Sequence, residues 1–158
     1  MDNKDVTEPI RAPVLALDLG SKRVGVAVSD ALSISINRLD VIPRTNWKKL
    51  LRDVENLARR FDAKTLVIGL PLKLNGSLGD AALMILQTAQ KFALSLKLPV
   101  YLQDERLTSA EAEEALRLAG LGTEEITDRV DSEAAALILR DFLASDQQKI
   151  LVSPYLSE

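Results

Sequence analysis

The sequence contains no cysteine and no histidine among its 158 residues. Without cysteine, the chain can form no disulfide, no thiolate zinc site and no thiol nucleophile. Without histidine, it lacks the side chain that most often moves protons near neutral pH and most often binds transition metals. Any catalysis therefore has to use carboxylates, lysine, hydroxyl groups or bound hard metal ions.

Long apolar segments and a strong excess of one charge are also missing. The longest apolar runs have the length of strands, well short of the ~20 residues that a membrane-spanning helix needs. The first segment, MDNKDVTEPIRAP, is charged and interrupted by proline, which is not the pattern of a signal peptide. We therefore expect a cytoplasmic protein with no membrane partner. The net charge of −3 argues against a broadly basic nucleic-acid-binding surface but allows a local basic patch.

Hydrophobic patterning predicts three strands in the first part of the chain. Val14–Leu19 is a short apolar run that ends at Gly20, as in a strand covered on both faces. Arg23–Ser29 follows after a short turn and alternates valine with smaller residues, so the two segments are interpreted as a hairpin. A third, more polar strand is expected over residues 33–42.

Helices and strands alternate in the rest of the chain. Apolar residues recur at helical spacing from Asn46 to Phe61, which predicts the first helix. Buried strands are expected at Thr65–Gly69 and Pro99–Gln103, with a helix over residues 79–96 between them.

Two more helices are expected towards the C-terminus. Thr108 and Glu111 form a capping box for a helix that Gly120 ends. The segment LGTEEITD is interpreted as a polar loop, and a last helix is expected over Arg129–Ala144.

This order of elements predicts an α/β fold with a mixed five-stranded sheet. An antiparallel meander of three strands would be followed by two parallel strands. The expected boundaries are a flexible tail over residues 1–12, one domain over 13–145 and a C-terminal tail over 146–158.

Acidic residues stand at the strand ends that such a sheet brings together. Asp18 lies near the end of the first strand, and Asp104 and Glu105 follow the fifth. The carboxyl ends of parallel strands share one edge of the sheet, so these acids should meet there. Because side chains alternate along a strand, Asp104 and Glu105 should point to opposite faces, so we expect only one of the two to join Asp18 directly.

A fourth acid lies at the start of the last predicted helix. Asp131 shares a helical stripe with Ala135, Ile138 and Phe142, so it lies on the face that packs inward. That is an unusual position for a charge. By itself, however, Asp131 could be a first-turn acid that the helix dipole favours.

The other acids also have ordinary explanations. Glu105 could form a surface ion pair with Arg106, and Asp18 could be a turn-forming aspartate. Their combination at element ends, in a chain without histidine or cysteine, favours a shared site instead. Like charges brought together need a counter-ion, and oxygen ligands suit Mg²⁺ or Mn²⁺.

Four motifs together resemble a known family. They are LALDLGSKRVGVAVSD, LVIGLPLKLNGS, LQDERLTSAEAEEAL and VDSEAAALILRDFL. In this order and spacing they are similar to the YqgF/RuvX-type proteins, Holliday-junction-resolvase-like nucleases implicated in maturing the pre-16S rRNA end. The resemblance spans about Val14 to Leu143 and implies an RNase H-like fold with helices on both faces of the sheet.

The resemblance also implies roles for the acids. Asp18, Glu105 and Asp131 would be the catalytic, metal-binding residues, and Asp104 would support them. Two divalent ions, Mg²⁺ or Mn²⁺, would straddle the scissile phosphate. One would generate hydroxide from water and the other would stabilise the leaving oxygen.

Polar and cationic residues near these motifs are candidates for nucleic-acid binding. They are Lys22, Lys73, Asn75, Ser77, Arg106 and Arg129. The cations could hold flanking phosphates, and the loop LNGSLGD could offer backbone N–H groups through Asn75, Gly76 and Ser77. The negative net charge fits pre-rRNA better than naked branched DNA. Resolving a junction would need two active sites, and the sequence leaves a monomer or a weak dimer open.

Two other functions remain open. The segment LDLGSKRVGVAVSD also resembles the phosphate-binding hairpin of sugar kinases and actin-like ATPases, which need two such domains around a cleft. This chain provides one. The protein could also be a non-catalytic RNA- or partner-binding protein that retains the acids.

Overall fold

Strands and helices alternate around one mixed sheet in the computed structural model of the protein. It describes residues 9–105, 123–145 and 149–153, and for residues 123–132 it describes the backbone alone. The elements are β1 (Val14–Leu19), β2 (Arg23–Ser29), β3 (Ile36–Pro43), α1 (Trp47–Arg60), β4 (Thr65–Leu70), α2 (Asp80–Ser95), β5 (Val100–Asp104), α3 (Thr123–Ala144) and β6 (Ile150–Leu151).

The sheet combines a meander with parallel strands, as the sequence predicts. Its strand order is β3-β2-β1-β4-β5-β6. Strands β1, β4 and β5 run parallel, whereas β2 is antiparallel to both β1 and β3. Within the described residues the sheet has six strands rather than the expected five, because β6 pairs antiparallel with β5, Tyr101 opposite Leu151. A two-residue strand is too short to produce a periodic sequence pattern.

Alternating side chains give the sheet two apolar faces, and each is covered by helices. Leu15 and Leu17 of β1 belong to a core with α1 and α2, in which Phe92 is fully buried. Val14 and Ala16 of the same strand face α3. The core on the α3 face consists of Val14, Ala16, Ala27, Val67, Ala135, Ala136, Ile138, Leu139 and Phe142.

Strand β3 begins three residues later than expected. The side chain of Asp30 accepts hydrogen bonds from the backbone N–H groups of Ile34, at 2.7 Å, and Ser35, at 3.3 Å. Ser33 has a φ of 57°, in the left-handed region that strands do not use. These interactions make residues 30–35 a turn, so the strand begins at Ile36.

Helix α3 begins six residues earlier than expected. The interpretation of LGTEEITD as a loop was wrong over Thr123–Asp128, where the backbone is helical. Acidic residues in the first turns of a helix interact favourably with its dipole, so this polar segment is compatible with a helix start. The helix predicted from Thr108 and Glu111 lies outside the described residues.

No helix within residues 9–105 and 123–145 is both long and apolar enough to cross a membrane.

Candidate active site

Three parallel strands bring their carboxyl ends to one edge of the sheet. Asp18 lies one residue before the end of β1, and the backbone N–H of Gly20 closes the following turn by donating to Asp18 O at 3.1 Å. Alternation along β1 puts Asp18 on the same face as Val14 and Ala16. The Asp18 side chain therefore lies on the α3 face.

Glu105 continues this edge directly after β5. Its backbone N–H donates to Leu70 O at 3.1 Å, which extends the pairing of β4 and β5 by one residue. Its carboxyl group lies against Gly69 and Ile138, both on the α3 face. Asp104 is paired with Leu70, whose side chain belongs to the opposite core. The two neighbouring acids thus lie on different faces.

The Asp18 and Glu105 side chains meet. The pKa of Glu105 is raised to about 9, mainly by burial and then by the charge of Asp18, a hydrogen bond with Asp18 and the charge of Asp104. Glu105 is therefore protonated at neutral pH, which allows the two carboxyl groups to share a hydrogen bond. The second oxygen of Glu105, Oε2, is buried without a hydrogen-bond partner among the described residues.

This arrangement fits a hard divalent cation. A buried carboxyl oxygen without a partner is costly, and a nearby second acid adds repulsion once both ionise. Mg²⁺ and Mn²⁺ prefer oxygen ligands and keep several waters, so few protein side chains suffice. Within the described residues, however, no group of three or more acids is close enough together to hold a metal.

The third predicted acid belongs to the helix that covers this face. Asp131 lies in α3, but its side chain is outside the described residues, as is that of Arg129. Helix α3 packs on β1, β2 and β3 and also contacts β4 and β5. The structure thus brings together Asp18 and Glu105, and it places the backbone of Asp131 on the helix across the same face.

The candidate phosphate-binding lysines are exposed. Lys22 lies in the turn between β1 and β2, close in sequence to Asp18. Lys73 lies in the loop after β4, where its aliphatic stem packs over Gly79. Arg106 lies outside the described residues.

The loop after β4 uses its own backbone donors. Gly76 has a φ of 85° and donates its N–H to Lys73 O at 2.7 Å. Asn75 Oδ1 accepts from the Ser77 N–H at 2.9 Å and from the Ser77 hydroxyl at 2.7 Å. Two of the amides that we expected to bind a phosphate are therefore already hydrogen-bonded within the turn.

The sequence analysis missed two arginines that make long-range contacts. Arg44 donates from Nη1 to Gly20 O and from its backbone N–H to Lys22 O, both at 2.9 Å, and so holds the turn after Asp18. Arg38 of β3 donates from Nε at 2.9 Å and from Nη2 at 2.7 Å to the two oxygens of Glu133 on α3. No local sequence pattern connects residues this far apart.

Comparisons with known proteins agree with this architecture. Residues 12–145 match a family described as RuvX, Holliday junction resolvase. The chain is 37% identical over 138 residues to a Syntrophus aciditrophicus protein named "Putative pre-16S rRNA nuclease", covering 87% of this chain and 92% of that protein. A Gloeothece citriformis protein with the same name is 41% identical over 137 residues, covering 87% and 89% of the two chains.

A solved structure shows the same fold. RuvC of T. thermophilus in complex with a Holliday junction substrate matches with a TM-score of 0.53 and 18% identity, covering 87% of this chain and 98% of that one. At this identity the similarity concerns the fold alone. It confirms the predicted RNase H-like class.

Proposed function

Because the chain belongs to the RuvX family of Holliday junction resolvases, we propose that it is a metal-dependent endonuclease that hydrolyses phosphodiester bonds in the maturation of the pre-16S rRNA end. The observation that carries this proposal is the contact between Asp18 and Glu105, in which one carboxyl oxygen of Glu105 is buried and has no hydrogen-bond partner within the part of the chain that the structure describes. Two acids buried together destabilise a fold unless a proton or a cation neutralises them. Their position at the carboxyl ends of parallel strands is where open α/β sheets bind ligands.

The proposed chemistry assigns separate tasks to the residues of the site. Asp18 and Glu105, with Asp131 from α3, would hold Mg²⁺ or Mn²⁺ in a two-metal site. When bound, these ions activate water and neutralise charge on the phosphate and the leaving oxygen. Glu105 would bind the cation as the carboxylate, since only that form is a good ligand, and its proton would pass to solvent.

The surroundings of the acids would orient the substrate. The buried Ile138 keeps water from one side of Glu105. Arg44 fixes the turn that carries Lys22, four residues after Asp18 in the sequence. Lys22 and Lys73, together with Arg106 and Arg129, would bind phosphates flanking the cleaved bond and so set the position of the strand, although such contacts carry no base information.

We favour pre-rRNA over branched DNA as the substrate. The names of the two relatives support this choice, and the net charge of −3 fits an RNA presented within a larger assembly. The protein would then act in the cytoplasm, as a monomer or a weak dimer. Junction cleavage is the second candidate, because the similar RuvC structure contains a Holliday junction substrate.

A cleavage assay tests the proposal and separates the alternatives. The protein is incubated with a pre-16S rRNA fragment or a four-way DNA junction, each with Mg²⁺, Mn²⁺ or EDTA. We expect metal-dependent cleavage of the RNA, and loss of that cleavage in Glu105→Gln. Preferential cutting of the junction would favour resolvase activity. If neither substrate is cut with any ion, the nuclease proposal is wrong, and ATP titration then distinguishes a phosphate-binding protein from a non-catalytic RNA-binding one.

A further inference from the structure

The two acids that meet in the site do not come from neighbouring strands. Strand β4 lies between β1, which carries Asp18, and β5, which precedes Glu105. Adjacent strands are ~4.8 Å apart, so the backbones of β1 and β5 are separated by roughly 10 Å. The side chains can meet on the α3 face only if one of them crosses over β4.

Gly69 occupies the crossing point. The pairing of Leu17 with Ile68 places Gly69 beside Asp18, and Gly69 is itself paired with Gln103, two residues before Glu105. A Cβ atom built on Gly69 would lie 2.8 Å from Cδ of Glu105 and closer still to its Oε2. The space that any other side chain would need is therefore occupied by the Glu105 carboxyl group.

Helix α3 reaches the same position from above the sheet. The same Cβ would lie 2.5 Å from Cδ1 of Ile138, which is fully buried in the α3 core. A side chain at position 69 would therefore collide with both the Glu105 carboxyl group and helix α3.

We propose that Gly69 is a positioning residue whose missing side chain opens the passage across β4, through which the Glu105 carboxyl group reaches Asp18. Gly69 thereby sets the geometry of the acid pair. The consequence of this geometry for metal binding rests on the proposed function. The simpler explanation is that Gly69 only allows α3 to pack closely on the sheet, and the experiment has to separate the two.

A double-mutant cycle on stability makes this separation. All variants carry Ile138→Val, which removes Cδ1 and hence the contact with the helix. Gly69→Ala is then compared in the presence of Glu105 and in a Glu105→Ala background, where a Cβ has room. We expect Gly69→Ala to lower the melting temperature clearly with Glu105 present and by less than half as much without it. An equal loss in both backgrounds would overturn the proposal, because Gly69 would then act only through packing.

Metal binding provides a second readout that packing alone would not change. Mn²⁺ affinity is measured by calorimetry for the wild type, Ile138→Val and Gly69→Ala/Ile138→Val. Residues that orient a metal ligand typically change affinity by roughly 10–100-fold, so we expect a loss of this size in the double variant and almost none in Ile138→Val. Unchanged affinity in the folded double variant would overturn the positioning role.

The two proposals fail in different ways. A wild-type protein that binds no Mn²⁺ would contradict the proposed function, whereas the stability cycle would still test the passage. If Gly69→Ala/Ile138→Val does not fold, adding Glu105→Ala decides the matter. Recovery of the fold supports the passage, and continued failure to fold overturns it.

Discussion

The two faces of the sheet end differently at the edge that carries the acids. On the face covered by α1 and α2, apolar side chains continue to the strand ends as Leu19 and Leu70. On the face covered by α3, the same strands end with Asp18 and Gly69, and the Glu105 carboxyl group closes the row. Because adjacent residues of a strand point to opposite faces, one segment can stabilise the fold with one set of residues and hold charge with the other.

Substitutions of acids on the two faces should differ most in their effect on metal-dependent cleavage. Asp18→Asn should abolish metal-dependent cleavage, a larger loss than the roughly 10–100-fold typical of residues that only orient metal ligands. Asp104→Asn, on the opposite face, should reduce the rate much less. Single-turnover cleavage of the same RNA by both variants measures the difference. Equal losses would show that Asp104 and Asp18 belong to one functional group despite lying on different faces.

A substitution in the core on the opposite face should change the stability of the fold. Phe92 is fully buried on the α1 and α2 side, and its ring packs against Trp47 with centroids 4.8 Å apart. Phe92→Ala should lower the free energy of unfolding by about 3–5 kcal/mol, the usual cost of removing a buried aromatic ring. Urea unfolding in EDTA and in Mn²⁺ is the measurement, and the loss should be the same in both. A loss that depends on the metal would mean that the two faces are not independent.

Strand alternation explains how much of the site could be predicted from the sequence. The rule that parallel strands share a carboxyl edge pointed to Asp18, Asp104 and Glu105, and alternation indicated that only one of the two neighbours would join Asp18. The family resemblance selected Glu105. The structure brings Asp18 and Glu105 together. The assignment of metal ligation to the pair, and of a third ligand to Asp131, stays a prediction.

Other features depend on tertiary contacts that no local pattern encodes. In the sequence, Gly69 looks like an ordinary residue of a buried strand. Only the tertiary structure shows that the Glu105 carboxyl group and Ile138 occupy the space that a side chain at position 69 would need. The Arg38–Glu133 pair joins residues 95 positions apart. The start of α3 was missed because a polar, acidic segment such as Thr123–Asp128 fits a loop and a helix start equally well.

A smaller effect should appear in the pH dependence of stability, through Glu105 on the α3 face. Glu105 has a pKa of about 9 in the folded protein, against 4.5 for an ordinary glutamate. Between these values the folded state holds a proton that the unfolded chain has released, so the contribution of this group to stability falls as the pH rises. Glu105→Gln cannot titrate. In EDTA, its melting temperature relative to the wild type should therefore increase from about pH 5 to about pH 8.

Thermal melting at several pH values tests this expectation. At this chain length, each kcal/mol corresponds to about 2–4 °C. Adding Mn²⁺ should raise the melting temperature of the wild type above that of Glu105→Gln. A bound cation stabilises the wild type by about 2.7 kcal/mol at a hundredfold excess over the dissociation constant. A difference between Glu105→Gln and the wild type that does not vary with pH would contradict a protonated Glu105 in the folded state.

The smallest expected effect concerns the exposed lysines in the turns that follow β1 and β4. If Lys22 and Lys73 each contact one phosphate, replacing either with glutamine should weaken RNA binding and reduce the slope of log affinity against log salt by about 0.7–0.9. Lys64 is the matched control, because it lies just before β4 at the opposite end of the sheet and pairs with Asp62 at 3.1 Å. Lys64→Gln should leave the slope unchanged. Binding is measured in EDTA at several salt concentrations, so that metal and cleavage do not contribute. Equal slopes for all three variants would mean that the RNA follows a different path, and the acid-bearing face would then have to receive its substrate without these lysines.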